Sequence, residues 1–340
     1  MKYLLLFFFL IFTWSGCTDE TMMDGFEVTS TELNGIPIAT FMYQIQELDD
    51  YTNVDLLART DYDMLIVEPG FNFISSPYDV SYLVSNLKRK NNGDKRILLA
   101  YIDIGQAEDY RDYWQDDWVA PTANQTGSPS FLVGVDPDGW SGNYPVAYWD
   151  GQWQQIWLKE NGLIEKIVSY GFDGVYLDWV EAYDDDQVRE VARQRGVNPE
   201  NEMIKFIQSI KNKGKETKDD FLVVAQNAPY LLDANPTLYS SIIDAISTED
   251  TWFYGEGDVD WNSDQAGDLT GGERHADDYS TINRIAQNKK YLNLGIPVFT
   301  VDYCISPVNA NLVYQLSREN GFIPLVTRVS LSQITETPPF

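Results

Sequence analysis

The chain carries one histidine and two cysteines in 340 residues, and that scarcity removes several chemistries at once. His275 stands alone in a long loop, and no GxSxG elbow supplies a nucleophile for it to activate, so loop surface is the expectation there. One histidine without clustered cysteines leaves no ligand set for zinc. The acids lack EF-hand spacing. Neither a metal nor a cofactor is expected. The two thiols, Cys17 and Cys304, can form at most one disulfide. No glycine-rich phosphate loop follows the first apolar run, which argues against a nucleotide-binding sheet. Positive charge is short as well: Lys and Arg total 24 against 52 Asp and Glu, a net charge of −28. Little would neutralise phosphates, so nucleic acid is excluded as a partner, whereas a cationic ligand would be attracted.

Long apolar runs are missing after the first one. "MKYLLLFFFLIFTWSGC" has Lys2, an apolar stretch and small residues before Cys17, the pattern of a secretory signal over residues 1–16 and too short for a spanning helix. "SGC" resembles a bacterial lipoprotein processing site, with Trp14 standing where an aliphatic residue is usual. Lipidation of Cys17 would leave no intramolecular disulfide. The expectation is an exported lipoprotein, periplasmic-facing or at the cell surface, touching the membrane through its lipid anchor only. Residues 17–33 read as a tether, and residues 34–335 as a single catalytic-type domain.

What remains is globular: 44% hydrophobic residues and 14% aromatic ones, with 10 Trp and 21 Tyr. Short β-rich runs recur at 38–43, 64–68, 97–104, 174–179, 222–226, 245–248, 297–301 and 323–326. Helical patterns lie between most of them, at 47–60, 77–90, 152–170, 200–213, 278–293 and 308–320, with a weaker one at 229–243. Strands alternating with helices imply a parallel sheet, and eight such units predict a (β/α)8 TIM barrel. A doubly wound sheet is the other option. The segment after the last run is too short for a closing helix. The stretches 107–150 and 253–277 are long, as functional loops are.

In a barrel of this kind, chemistry sits at the C-terminal strand ends. Those ends carry Tyr43 and Gln44, Glu68, Tyr101 with Asp103 and Gln106, Asp178, Gln226 and Asn227, Glu249 with Asp250 and Trp252, Asp302 and Tyr303, and Arg328. Acids and amides ringed by aromatics suit a sugar. Glycoside hydrolysis needs two carboxyl groups, one protonated and one ionised. Asp178 and Glu249 are the candidate catalytic pair, with Glu249 the expected proton donor; Asp250 could exchange roles with its neighbour. In "GVYLDW", Tyr176 and Asp178 share one face of a strand. Tyr148 and Trp149, in the loop "DGWSGNYPVAYWDGQWQ", are expected to meet a sugar face, while Trp153 and Trp157 pack inward from the following helix. Asp173 in "GFDG" reads as a structural turn residue, and Glu181 with Asp184–Asp186 as a solvated loop and helix cap.

Five motifs, "LLAYIDIGQAEDYRDYW", "GNYPVAYWDGQWQ", "GFDGVYLDWVEAY", "VVAQNA" and "STEDTWF", together resemble glycoside hydrolase family 114. The resemblance implies a TIM-barrel enzyme with endo-α-1,4-polygalactosaminidase activity. It carries the catalytic acids over to Asp178 and Glu249, and implies that Tyr101, Gln106, Gln226 and Asn227 line the sugar site. Tyr43, Glu68, Asp103, Trp252 and Asp302 join them as candidate substrate contacts from the strand ends. Where that family often reads IGEAE, this chain reads IGQAE, so the amide of Gln106 stands in place of an acid. The expected substrate is a polysaccharide, and a cationic amino-sugar polymer would match the charge. The alternatives are a non-catalytic glycan-binding lipoprotein on the same barrel, or a hydrolase of another α-linked glycan.

Overall fold

Eight runs of mostly aliphatic and aromatic residues pair edge to edge. The computed structural model describes residues 22–23, 26–27, 29–73, 78–270 and 279–339; Cys17 and His275 lie outside the described residues. The strands are β1 (Phe41–Gln44), β2 (Met64–Val67), β3 (Ile97–Asp103), β4 (Gly174–Asp178), β5 (Leu222–Gln226), β6 (Ala245–Glu249), β7 (Val298–Tyr303) and β8 (Ile323–Thr327). All are parallel and follow one another in chain order around a (β/α)8 barrel. Such strands are buried on both faces, which is why they read as nearly continuous apolar runs rather than alternating ones. The seam between β1 and β8 closes through the segment beyond β8. Leu331 O accepts from Ile45 N–H at 3.0 Å, and Ser332 O accepts from the Gln44 amide at 2.9 Å.

The helices are α1 (Tyr51–Ala58), α2 (Val80–Leu87), α3 (Gly151–Leu158), α4 (Leu163–Tyr170), α5 (Asp186–Arg195), α6 (Pro199–Lys215), α7 (Leu231–Ala234), α8 (Pro236–Ile242), α9 (Thr281–Asn293) and α10 (Pro307–Glu319). The single helix read at 152–170 is two, because Asn161 sits at φ 56° just before Gly162 and turns the chain. The weak helical segment at 229–243 divides at Pro236, which takes the first turn of a new helix as proline can. Asp185 caps a helix, accepting from Gln187 and Val188 N–H at 2.9 Å each, and the ten-residue helix it starts was not among the helical patterns read from sequence. Among the described residues no helix follows β8. Residues 328–339 run irregularly instead, held by Thr335 on Val326 O and by Arg318 on Pro339 O.

The N-terminal face of the barrel is built for stability. Three acids that precede strands each accept backbone N–H groups from the neighbouring strand or the residues just before it, and pair with a lysine. Asp63 accepts from Ala39 and Thr40 and pairs with Lys90. Asp173 accepts from Leu98 at 2.9 Å and pairs with Lys88 at 2.7 Å, the structural role expected for it. Asp244 accepts from Val223 at 2.7 Å and pairs with Lys211 at 3.1 Å. A hairpin of Thr31–Leu33 and Ile36–Ile38 joins this face, with Asn34 and Gly35 at positive φ in its turn and the Asn34 amide on Asp220 O at 2.7 Å. The ordered fold thus includes Thr31–Leu33, which the composition had placed in the tether.

Candidate active site

The opposite face opens into a cleft of about 600 Å³, a size usual for small-molecule sites. Its floor is an aromatic layer. Tyr43 of β1 lies 5.1 Å from the Tyr176 ring of β4 and 6.1 Å from the Tyr101 ring of β3. The two-residue period of a strand lifts Asp178 one layer above Tyr176, and Asp103 one layer above Tyr101. Parallel register sets Asp178 beside Asp103.

Asp178 is held at both oxygens. Oδ1 accepts from Trp179 N–H at 2.8 Å, and Oδ2 accepts from the Tyr101 hydroxyl. Burial pushes its carboxyl up to about 7, against the Tyr101 hydrogen bond and with help from the charge of Glu249. Glu249 is held by three donors: Oε2 accepts from the amides of Gln226 and Asn227, the latter at 2.6 Å, and Oε1 from the Tyr303 hydroxyl. The Asn227 carbonyl oxygen in turn accepts from Glu249 N–H at 2.8 Å, which locks the two strand ends together. Each carboxyl therefore has one oxygen facing an N–H donor and one facing a tyrosine hydroxyl. A hydroxyl can accept as well as donate, so either carboxyl has a seat for one proton.

The other lining residues divide by partner. Glu68 and Glu108 share Arg111, which lies buried between them: Nη2 is 2.9 Å from Glu68 Oε2, and Nε is 2.7 Å from Glu108 Oε2. Phe73 covers the guanidinium, its ring centroid 4.2 Å away. Asp103 accepts from Gly105 and Gln106 N–H, yet burial and its neighbour Asp178 hold it well above the usual carboxylate range. The amide of Gln106 lines the cleft but is committed to the loop that follows β3: it donates to Asp136 and accepts from Asn143 at 3.1 Å. Asp136 in turn accepts from Trp140 N–H at 2.8 Å, and Trp140 forms part of the cleft wall. An acid at position 106 would set two carboxylates against each other, so the amide suits its setting.

Nine of the residues picked out from sequence come together here: Tyr43, Glu68, Tyr101, Asp103, Gln106, Asp178, Gln226, Asn227 and Glu249. Four do not. Tyr148 is fully buried with its hydroxyl on Pro199 O at 2.7 Å, and Trp149 packs edge-on against it; both support the helical layer instead of the cleft. Asp302 is buried and accepts from Trp252 and Phe253 N–H at 2.6 and 2.9 Å, so it anchors the loop after β6, and Trp252 packs into the core beside it. Trp153 and Trp157 are core, as read. Arg328 donates to Trp261 O, away from the cleft. The reading of Glu181 as solvated is corrected: the side chain is half-buried and lines the cleft, its Oε2 is buried, and burial and Asp178 hold the carboxyl well above the usual range. Trp140, from the same aromatic loop as Tyr148 and Trp149, does line the cleft, whereas sequence reasoning passed over Arg111, Arg284 and the positioning role of Tyr303. Of these three, only Tyr303 carried a signal, since it ends a strand. Among the described residues, no group of three or more His, Cys, Asp or Glu is arranged to hold a metal ion.

Comparison with known proteins bears on this geometry. The family model described as Glycoside-hydrolase family GH114 matches residues 78–339. An uncharacterized protein of Deinococcus radiodurans is 28% identical over 288 residues, covering 85% of this chain and 80% of its own. One from Thermotoga maritima is 27% identical over 231 residues, covering 66% and 64%. Two solved structures share the fold at 14% identity and a TM-score of 0.56 each. The glycoside hydrolase domain of PelA from Pseudomonas aeruginosa covers 86% of this chain and 96% of that one. Aspergillus fumigatus Ega3, in complex with galactosamine, covers 93% and 99%.

Proposed function

The chain belongs to glycoside-hydrolase family GH114, and from that premise we propose that it hydrolyses an α-1,4-linked galactosamine-type polysaccharide from within the chain. One observation carries the reading: Asp178 and Glu249 line one cleft, interact electrostatically, and are each held by a tyrosine and an N–H donor. One carboxyl donates a proton to the glycosidic oxygen while the other, ionised, acts as nucleophile or base. Burial that holds a proton on Asp178 up to near neutral pH is what a proton donor in this division of labour needs. The galactosamine bound to Ega3 supports the choice of sugar, and the net charge of −28 favours a cationic polymer. Export as a lipoprotein anchored at Cys17 is part of the same proposal, since a polysaccharide substrate lies outside the cell.

The test is mass spectrometry of oligosaccharides released from partly deacetylated α-1,4-galactosaminogalactan by wild type, Asp178→Asn and Glu249→Gln. Oligomers from wild type alone are expected; oligomers from all three would sink the assignment of the acids. An aryl galactosaminide with a good leaving group then separates the roles, because loss of the proton donor spares it and loss of the nucleophile or base does not.

A further inference from the structure

The carboxylates around the cleft are unequally provided for. Glu68 and Glu108 are matched by Arg111, Asp103 by two backbone N–H groups, and Asp178 and Glu249 by the donors described above. Glu181 differs: its Oε2 is buried and has no hydrogen-bond partner. A buried acceptor in that state is costly, and a native site that keeps one usually has a use for it. The residue is not loosely placed. It sits in the 3-10 turn Val180–Tyr183, entered through Trp179 at φ 53° directly from Asp178. Gly105 closes against that turn so tightly that a Cβ there would lie 2.1 Å from Trp179 O and 2.9 Å from the Ala182 Cβ. The electrostatic neighbours of Glu181 include Asp178, Glu249 and Asp138. Both arginines that line the cleft are committed to the protein, Arg111 to its two glutamates and Arg284 to the backbone oxygens of Tyr279 and Glu249. The cleft therefore offers a rigidly placed carboxyl with one unpartnered oxygen in an acidic surrounding, and among the described residues that line it no cation is left unpaired.

We propose that Glu181 is the specificity residue for a sugar ammonium group: it accepts a charge-assisted hydrogen bond from the primary amine of an amino-sugar unit bound beside Asp178. This rests on reading the cleft as a glycan site. A neutral hydroxyl would gain one hydrogen bond there, whereas an ammonium group also supplies the missing positive charge, and the low-dielectric setting strengthens that difference.

The test is isothermal titration of wild type and Glu181→Gln with galactosamine and with galactose, alongside turnover of the polymer above. Wild type is expected to prefer galactosamine by about tenfold or more, and the preference is expected to fall to near unity in Glu181→Gln. Glu181→Ala serves if the amide variant melts early. Equal affinity of wild type for the two sugars, no binding of either, or a preference that survives the substitution would overturn the proposal. Turnover answers a separate question. A lost preference with no turnover by wild type keeps Glu181 as the amine site and replaces the hydrolase by a glycan-binding protein. Turnover with a surviving preference keeps the hydrolase and discards Glu181.

Discussion

Tyr303, the last residue of β7, donates its hydroxyl to Oε1 of Glu249, the last residue of β6. Tyr101 makes the matching contact with Asp178 from β3. Each candidate catalytic acid is thus steadied by a tyrosine from an adjacent strand.

Removing the Tyr303 hydroxyl in Tyr303→Phe leaves Glu249 its two amide donors but frees Oε1. Turnover is expected to drop roughly tenfold through kcat, with KM nearly unchanged, as loss of a hydrogen bond to a charged group implies. Steady-state kinetics on the polymer check this. A change confined to KM would contradict the positioning role.

Stability should depend on pH in a definite direction. Burial raises both Asp178 and Asp302 to about 7 from an ordinary value of 3.8. Because the folded pKa lies above the unfolded one, the folded state binds more protons across that window. Their contribution is fully present below about pH 4 and is lost as pH rises through about 7. Melting temperature, measured at several pH values, should fall between those limits, and less steeply in Asp302→Asn. Turnover should decline above about pH 7, where Asp178 loses its proton.

Arg111 is buried between Glu68 and Glu108. Arg111→Ala strands two buried carboxylates, and the expected cost is about 3–5 kcal/mol in urea denaturation. A loss below about 1 kcal/mol would mean that water reaches the pair.

Gly105→Ala should disturb the site from outside the chemistry. The added methyl meets Trp179 O and must displace the turn that carries Glu181 away from Asp178. A stability loss of about 1–3 kcal/mol is expected, with a larger proportional loss of turnover. Unchanged kinetics would show that the turn yields without moving the acids.

Much of this was legible before any coordinates. Tyr176 and Asp178 share a face because strand geometry is local, and the eight apolar runs announced themselves by composition and spacing. Asp173 could be placed on the stability face because it precedes its strand. Loop residues were the weak point. Tyr148 and Trp149 read as sugar platforms from their aromatic context, yet Tyr148 is drawn inward by the carbonyl of Pro199, fifty-one residues away. Glu181 looked solvated because acids crowd its sequence neighbourhood, and only the clamp of Gly105 on the turn brings it into the cleft.

The sequence by itself determined the repeating strand and helix units, the face of each strand, and hence the height at which Asp178 and Glu249 stand, because backbone geometry fixes side-chain direction over a few residues. Tertiary structure alone decided which polar groups are neutralised and which are left to face a ligand. Arg111 reaches Glu68 across forty-three residues of sequence, and Tyr303 reaches Glu249 across fifty-four. Such partnerships depend on ring closure and loop packing, which act between residues that no local pattern connects.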